Sequence, residues 1–387
     1  MRGCFPNAAR HAGRRRVAIT NARARLIEPH TETLQSSLHR GYMYRLESGW
    51  LGCAERVAGG PNSRGHTRSA QAREELADGQ LVRCSSDVKE GTKDARDRQM
   101  DLPGHPLILD KGLAPMFHRF RIGEIEATIL SDGPLYLPCP AEAFSGPARA
   151  ALDDALGGPG RSGEAIRVEQ NCLLIENAGK RVLFDNGMGT AKLYGPASGQ
   201  LLAGLAEAGI GPASIDALVL THAHSDHCWG TMRDDGVPNY PNAAIYMAEA
   251  ELAYWESNPP GERTDVSGVR KHLLPLRERI VVIRDGQEFL PGVHAWATPG
   301  HTPGHMAYLL SGGWCLIGDV AFHDPLSYAF TEAASIFDTD PVQAAATRHA
   351  VLARLAEERL SVVGYHNPWP GLGRVERFST AFRFRCI

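Results

Sequence analysis

No uninterrupted apolar stretch in the 387 residues approaches the ~18–20 needed to cross a bilayer, so the sequence gives no reason to expect a membrane-spanning helix. Cysteine is scarce and scattered: Cys4, Cys53, Cys84, Cys139, Cys172, Cys228, Cys315 and Cys386, with no CxxC pair. That spacing argues against a disulfide scaffold and predicts free thiols and a cytoplasmic setting. Charge of one sign is not in excess either. The formal net charge is -3, which supplies no global pull toward nucleic acid or anionic lipid. Hydrophobic residues at 43% and charged residues at 22% exclude a fibrous chain and wholesale disorder.

The small net charge hides an asymmetry. Residues 1–115 carry 19 Lys and Arg, 16 of them Arg, against 13 Asp and Glu; the remainder carries 22 against 31. Residues 1–115 also lack periodicity. Their apolar residues come singly or in pairs between polar stretches such as Gly59-Gly60-Pro61-Asn62-Ser63-Arg64-Gly65. Such a segment cannot bury enough apolar area to offset its ordering entropy. A largely disordered, Arg-rich extension is therefore expected over 1–115. Met116 is a natural alternative start, and 116–387 is expected to be the catalytic domain.

From Phe117 the texture changes. Strands are expected at Phe117–Ile122, Glu126–Leu130, Cys172–Glu176 and Arg181–Asp185, the last two joined by Asn177-Ala178-Gly179-Lys180 as a hairpin. Leu201, Leu202, Leu205 and Ile210 suggest an amphipathic helix. Further strands are expected at Ala217–Leu220, Ala243–Met247, Ile280–Arg284, Val293–Thr298, Met306–Leu310, Trp314–Ile317 and Leu360–Val363. A helix over Pro341–Arg359 has proline at its entry, as helices favour. The mixture is α/β.

Four of these strands end in groups able to ligate metals. Ala217–Leu220 runs into Thr221-His222-Ala223-His224-Ser225-Asp226-His227, three imidazoles and a carboxylate within six residues. Imidazole suits zinc, iron and similar ions, and a carboxylate adds a harder ligand. Val293–Thr298 runs into Pro299-Gly300-His301-Thr302-Pro303-Gly304-His305, where Gly and Pro fix a turn that can aim His301 at the first group, with His305 expected in a supporting hydrogen bond. Trp314–Ile317 is followed by Gly318-Asp319, and Leu360–Val363 by Gly364-Tyr365-His366.

With these residues in order, the chain resembles the metallo-β-lactamase-fold hydrolase superfamily. His222, His224, Asp226 and His227 match its HxHxDH signature, His301 its downstream His, Asp319 its bridging Asp and His366 its last His. The likeness covers about Met116 to Arg374. Gly364-Tyr365-His366-Asn367-Pro368-Trp369-Pro370-Gly371 and Phe337-Asp338-Thr339-Asp340-Pro341 are similar to the quorum-quenching lactonase and methyl parathion hydrolase-like branch.

The resemblance implies a four-layer αβ/βα sandwich with two divalent metal ions per chain, zinc foremost and Mn, Co or Fe as alternatives. His222, His224 and His301 would hold one ion, and Asp226, His227 and His366 the other. Asp319 would bridge both, and Asp185 would support the site from behind. The implied activity is opening of a small-molecule lactone or ester by a metal-bridging hydroxide, with Asp226 or Asp319 passing a proton to the leaving group. A homodimer is implied as well, with no nucleic-acid or membrane partner. The alternatives are a phosphotriesterase or arylesterase on the same site and a non-catalytic metal-binding module.

One departure stands out. Lactonases of this group often place a tyrosine shortly after the bridging Asp, whereas here the run is Asp319-Val320-Ala321-Phe322-His323. His323 is either a substitute for that hydroxyl or plain surface. Phe322, Trp229, Tyr328, Trp255 and Trp369 are candidates for an apolar substrate wall, and Cys228 is expected to be a small buried apolar residue.

Overall fold

The structure is a computed structural model that describes residues 45–46, 49–50, 115–260 and 263–387. The chain divides into two units, 1–100 and 101–387. In the first, the described residues form a two-residue antiparallel pair, Arg45–Leu46 with Gly49–Trp50. Apart from these and Pro115, the extension expected over 1–115 lies outside the described residues.

The second unit contains two seven-stranded sheets, each laid out in the order in which the chain makes its strands. The first comprises β1 (Phe117–Ile122), β2 (Ile125–Ser131), β3 (Asn171–Asn177), β4 (Lys180–Phe184), β5 (Ala217–Val219), β6 (Ala244–Ala248) and β7 (Ile280–Ile283). β1 to β4 pair antiparallel as a meander, and β4 to β7 pair parallel. The second sheet comprises β8 (Glu288–Leu290), β9 (Val293–Ala297), β10 (Met306–Leu310), β11 (Trp314–Leu316), β12 (Ser361–Val363), β13 (Leu372–Phe378) and β14 (Ala381–Cys386). Only β11 and β12 pair parallel there, joined through a 17-residue helix, Pro341–Glu357.

Three apolar clusters define the layers. One lies between the sheets: Ile129, Leu173, Ile175, Phe184 and Val219 come from the first sheet, and Val293, Tyr308, Leu316 and Val363 from the second. The alternate residues Leu130, Cys172, Leu174, Leu183 and Leu218 point the other way, against Leu201, Leu205, Leu252 and Val269 of the covering helices. On the far side of the second sheet, Cys315, Val362 and Phe384 meet Val351, Leu352 and Leu355 of the long helix. The strands in the middle of both sheets are thus covered on both faces, which explains why they read as continuous apolar runs rather than as alternation. The order is helix, sheet, sheet, helix: the four-layer sandwich expected from the sequence.

Helix boundaries follow local chemistry. The Asp340 side chain accepts from the Gln343 backbone N–H at 3.0 Å and Pro341 follows it, a capped and pre-set helix start. Ala344, Arg348, Val351, Leu352 and Leu355 form its buried face at helical spacing. In the helix Leu201–Glu207, Leu201 and Leu205 are buried while Leu202 is exposed. Among the described residues, no helix is long and apolar enough to cross a membrane.

The topology also places the strand ends. β4 and β5 are parallel, so Asp185 and the Thr221–His227 loop leave the same edge of the first sheet. β9 and β11 are each antiparallel to β10, and β12 is parallel to β11. The segments bearing His301, Asp319 and His366 therefore leave one common edge of the second sheet.

Candidate metal centre

At that edge all seven residues singled out in the sequence come together. His224 Nδ1 lies 3.0 Å from His222 Nε2 and 3.0 Å from His301 Nε2. His366 Nε2 lies 3.2 Å from Asp226 Oδ2, and His227 Nε2 lies 3.5 Å from the same oxygen. Asp319 stands between the two trios, with Oδ1 3.2 Å from His227 Nε2 and Oδ2 3.3 Å from His301 Nε2 and 3.4 Å from His366 Nε2. Three trios bring their ligand atoms within 4.8 Å of one another: His222, His224 and His301; Asp226, His227 and His366; and His222, His227 and Asp319. Six of the seven residues are buried; His224 is half-buried.

The far nitrogens fix which lone pairs face the cluster. His301 Nδ1 sits 3.0 Å from Asp338 Oδ1, His227 Nδ1 2.9 Å from Asp185 Oδ2, and His366 Nδ1 2.7 Å from the Glu169 carbonyl. Those oxygens only accept, so each Nδ1 donates. Thr221 Oγ1 spends its proton on Asp185 Oδ2 at 2.9 Å, so it accepts from His222 Nδ1 at 3.1 Å. In the neutral imidazoles, four Nε2 lone pairs therefore converge on the cluster, an arrangement typical of metal-ligating histidines. Hydrogen bonds among themselves cannot satisfy this set. His222 Nε2, His224 Nδ1 and His301 Nε2 share at most one proton in the neutral state. His227 Nε2 and Asp319 Oδ1 are buried and have no hydrogen-bond partner. Orphaned acceptors around an N/O donor set of this kind fit divalent cations.

Electrostatics split the cluster. Burial, reinforced by the imidazoles of His227 and His224, holds His222 well below the usual histidine range, and burial with His301 lowers His224. Their nitrogens are neutral and available. Burial also opposes charge on His366, but Asp319 and Asp226 outweigh it and push that imidazole up to about 10. The same balance, set by Asp319, Asp226 and Asp185 against burial, raises His227. One half of the site is a neutral nitrogen face; the other is an anionic pocket that calls for positive charge.

The loops are shaped for this. Gly300 has φ +131°, and a Cβ there would lie 2.3 Å from the Ala344 backbone nitrogen, so the His301 turn lies against the long helix only because residue 300 is glycine. Gly318 has φ +48°, and a Cβ would lie 2.7 Å from His305 Nε2. That nitrogen accepts from the Asp319 backbone N–H at 3.0 Å, while His305 Nδ1 contacts Thr298 Oγ1 at 2.8 Å. His305 thus positions Asp319; the sequence suggested a supporting hydrogen bond but not its partner. Asp185 accepts from Thr221 as well as His227, at a left-handed φ of +54°.

Other sequence candidates fall elsewhere. Tyr328 is buried and donates to Asn367 Oδ1, and Trp229 stacks on His272 in the first-sheet core. Trp369 packs against the core between the sheets. Trp255 is buried and meets the His224 ring in a T-shaped contact, 5.8 Å between centroids. Phe322 stacks on Phe144 at 5.1 Å and meets Phe337 edge-on at 5.8 Å. His323 is buried beside it rather than on the surface. Cys228 is a buried thiol whose ionisation burial suppresses, as expected of an apolar filler. Asp338 carried no role in the sequence reading beyond its place in a motif. It holds His301 and is itself fixed by the Ser335 backbone N–H and by the fully buried Arg348, 3.3 Å away.

A family model described as the metallo-beta-lactamase superfamily matches residues 165–364. The chain belongs to that superfamily. Members similar to it include the N-acyl homoserine lactonase of Bacillus cereus, 25% identical over 165 residues that make up 38% of this chain and 60% of that protein. The chain spans 40–61% of the length of the curated relatives it matches. Among solved structures, the hydrolase AbOPH aligns over 71% of this chain and 99% of its own, at 25% identity and a TM-score of 0.64. AidC, described as a dizinc quorum-quenching lactonase in complex with a homoserine product, aligns over the same shares at 24% identity and a TM-score of 0.65, which supports the fold.

Proposed function

We propose that the protein is a dinuclear metal-dependent hydrolase that opens a lactone or ester. The observation that carries this reading is the placement of Asp319, whose Oδ2 lies 3.3 Å from His301 of one trio and 3.4 Å from His366 of the other while Oδ1 lies 3.2 Å from His227. His222, His224 and His301 would hold one divalent cation, zinc foremost, and Asp226, His227 and His366 a second. Such a pair, when bound, would polarise a carbonyl oxygen and lower the pKa of water toward neutrality.

The chain's own residues do the rest. Asp185, Asp338 and the Glu169 carbonyl hold protons on the far imidazole nitrogens, so that the ligating lone pairs keep their aim. Asp226 and Asp319 are the carboxylates at the cluster, and either can carry a proton to the departing alkoxide oxygen. Among the described residues no serine or cysteine nucleophile is needed: Cys228, the nearest thiol in sequence, is held as the neutral thiol. The named lactonase relative favours the lactone or ester class.

The test is a panel of a γ-lactone, an aryl ester and paraoxon, run before and after chelation and after zinc, cobalt or manganese is returned. Lactone or ester turnover that chelation abolishes and metal restores is the expected result. Turnover that survives both chelation and His222→Ala would overturn it, and paraoxon as the preferred substrate would replace the ester class with phosphotriesters.

A further inference from the structure

Glu251 is the third residue of the helix Glu249–Glu256, and its side chain is fully buried. An unpaired buried carboxylate is costly, yet this one accepts four hydrogen bonds. Oε1 accepts from the Ala223 backbone N–H at 2.9 Å and from Trp255 Nε1 at 2.7 Å. Oε2 accepts from Thr302 Oγ1 at 2.6 Å and from the Gly304 backbone N–H at 3.1 Å. Ala223 lies between His222 and His224, and Thr302 follows His301. Trp255, held by the same oxygen, makes a T-shaped contact with His224. The fit is close: a Cβ on Gly304 would lie 2.1 Å from the Glu251 backbone nitrogen.

One carboxylate therefore ties a loop of the first sheet to a loop of the second, and those two loops carry all three nitrogens of the neutral trio. The hydrogen bonds of Glu251 do not reach Asp226, His227 or His366. The second trio has its own supports: Asp185 on His227, the Glu169 carbonyl on His366, and Tyr365 Oη donating to the Asp226 carbonyl at 2.6 Å.

We propose that Glu251 is a positioning residue that selectively sets the geometry, and hence the cation affinity, of the His222–His224–His301 half of the site. This rests on the reading that the trio holds a cation. A glutamine at 251 keeps the volume but replaces one double acceptor with an NH2 group, which faces two donors instead of accepting from them. A valine at 302 removes one donor and leaves the carboxylate and both backbone donors in place.

The experiment titrates apo-protein with cobalt(II) and follows both binding steps and the visible spectrum, in the wild type, Glu251→Gln, Thr302→Val and His224→Ala. The expected result is that one of two sites weakens ~10–100-fold in Glu251→Gln, the loss typical of outer supports, and less in Thr302→Val. The site that remains tight should carry the same spectrum as the site left in His224→Ala. Unchanged affinities in Glu251→Gln and Thr302→Val, or equal weakening of both sites, would overturn the selective role while leaving the dinuclear reading intact. If Glu251→Gln does not fold, Thr302→Val alone decides by the same criterion. A wild type that binds no cobalt would overturn the inference together with the reading beneath it.

Discussion

The His222–His224–His301 trio and the Asp226–His227–His366 trio sit side by side and share Asp319, yet they are built on opposite principles. The first is a face of imidazole nitrogens alone, in which burial and neighbouring imidazoles hold His222 and His224 below the usual histidine range. The second is anionic, its imidazoles drawn toward protonation by carboxylates that outweigh burial. The first spans both sheets, from the loop after β5 to the loop after β9. The second also crosses, but its members are fixed by Asp185, the Glu169 carbonyl and the Tyr365 hydroxyl. One edge of one fold thus gathers two ligand trios of different charge around a shared aspartate, and on the proposed reading they would hold two cations as a single centre.

The largest expected effect removes what the halves share. Asp319→Ala should depress activity by more than the ~10–100-fold that losing an outer support costs, and metal analysis should find both sites weakened; loss from one site alone would break the symmetry claimed for Asp319.

Asp338→Asn strikes only the neutral trio. It takes a carboxylate from His301 and leaves Arg348, which is 1% exposed, short of its counter-charge. Stripping one partner from a buried pair costs ~3–5 kcal/mol. The Arg348 contacts to the Val320, Thr331 and Ala333 carbonyls put the expected loss in chemical denaturation toward the lower end. A variant as stable as the wild type, with unchanged metal affinity, would show that Asp338 supports neither.

Asp132 sharpens the comparison as a buried carboxylate outside the cluster. It accepts from the Met188, Gly199 and Leu201 backbone N–H groups, but burial outweighs them and pushes its pKa up to about 6. A folded-state pKa raised above the unfolded value contributes stability at low pH that is lost as pH rises through the folded value. The wild type should therefore lose ~2–3 kcal/mol relative to Asp132→Asn between about pH 4 and pH 6. A flat difference in unfolding free energy across that window would contradict the assignment.

The smallest effect belongs to Cys228. Cys228→Ala should cost about 1 kcal/mol, an ordinary core truncation, with metal content unchanged; loss of a metal ion would make the thiol a ligand after all.

The strand ends were legible because their signal is local. A buried run followed within a few residues by His or Asp needs no distant partner to be noticed, so β5 with the His222 loop, β11 with Asp319 and β12 with His366 stood out. The supports did not. Asp338 meets His301 across 37 residues, and Glu251 reaches Ala223 and Gly304 from a helix whose surface pattern is unremarkable. Nothing in the sequence near Glu251 distinguishes it from the solvated Glu249 and Glu256. β13 and β14 were also missed. Their signal was present as alternation in Ala381-Phe382-Arg383-Phe384-Arg385, where Phe382 and Phe384 are buried and the alternate residues Arg383 and Arg385 salt-bridge Glu376. The density of arginine there masked a half-buried edge strand. The helix Arg263–His272 was missed for the related reason that much of its length is polar.

The most direct test of the central claim is metal content per folded chain, measured on wild type and on Asp319→Ala after dialysis against zinc. About two ions per wild-type chain is expected, as a two-metal hydrolase requires, with fewer retained in the variant. A wild type that holds none, and yet cleaves its substrate, would contradict the account.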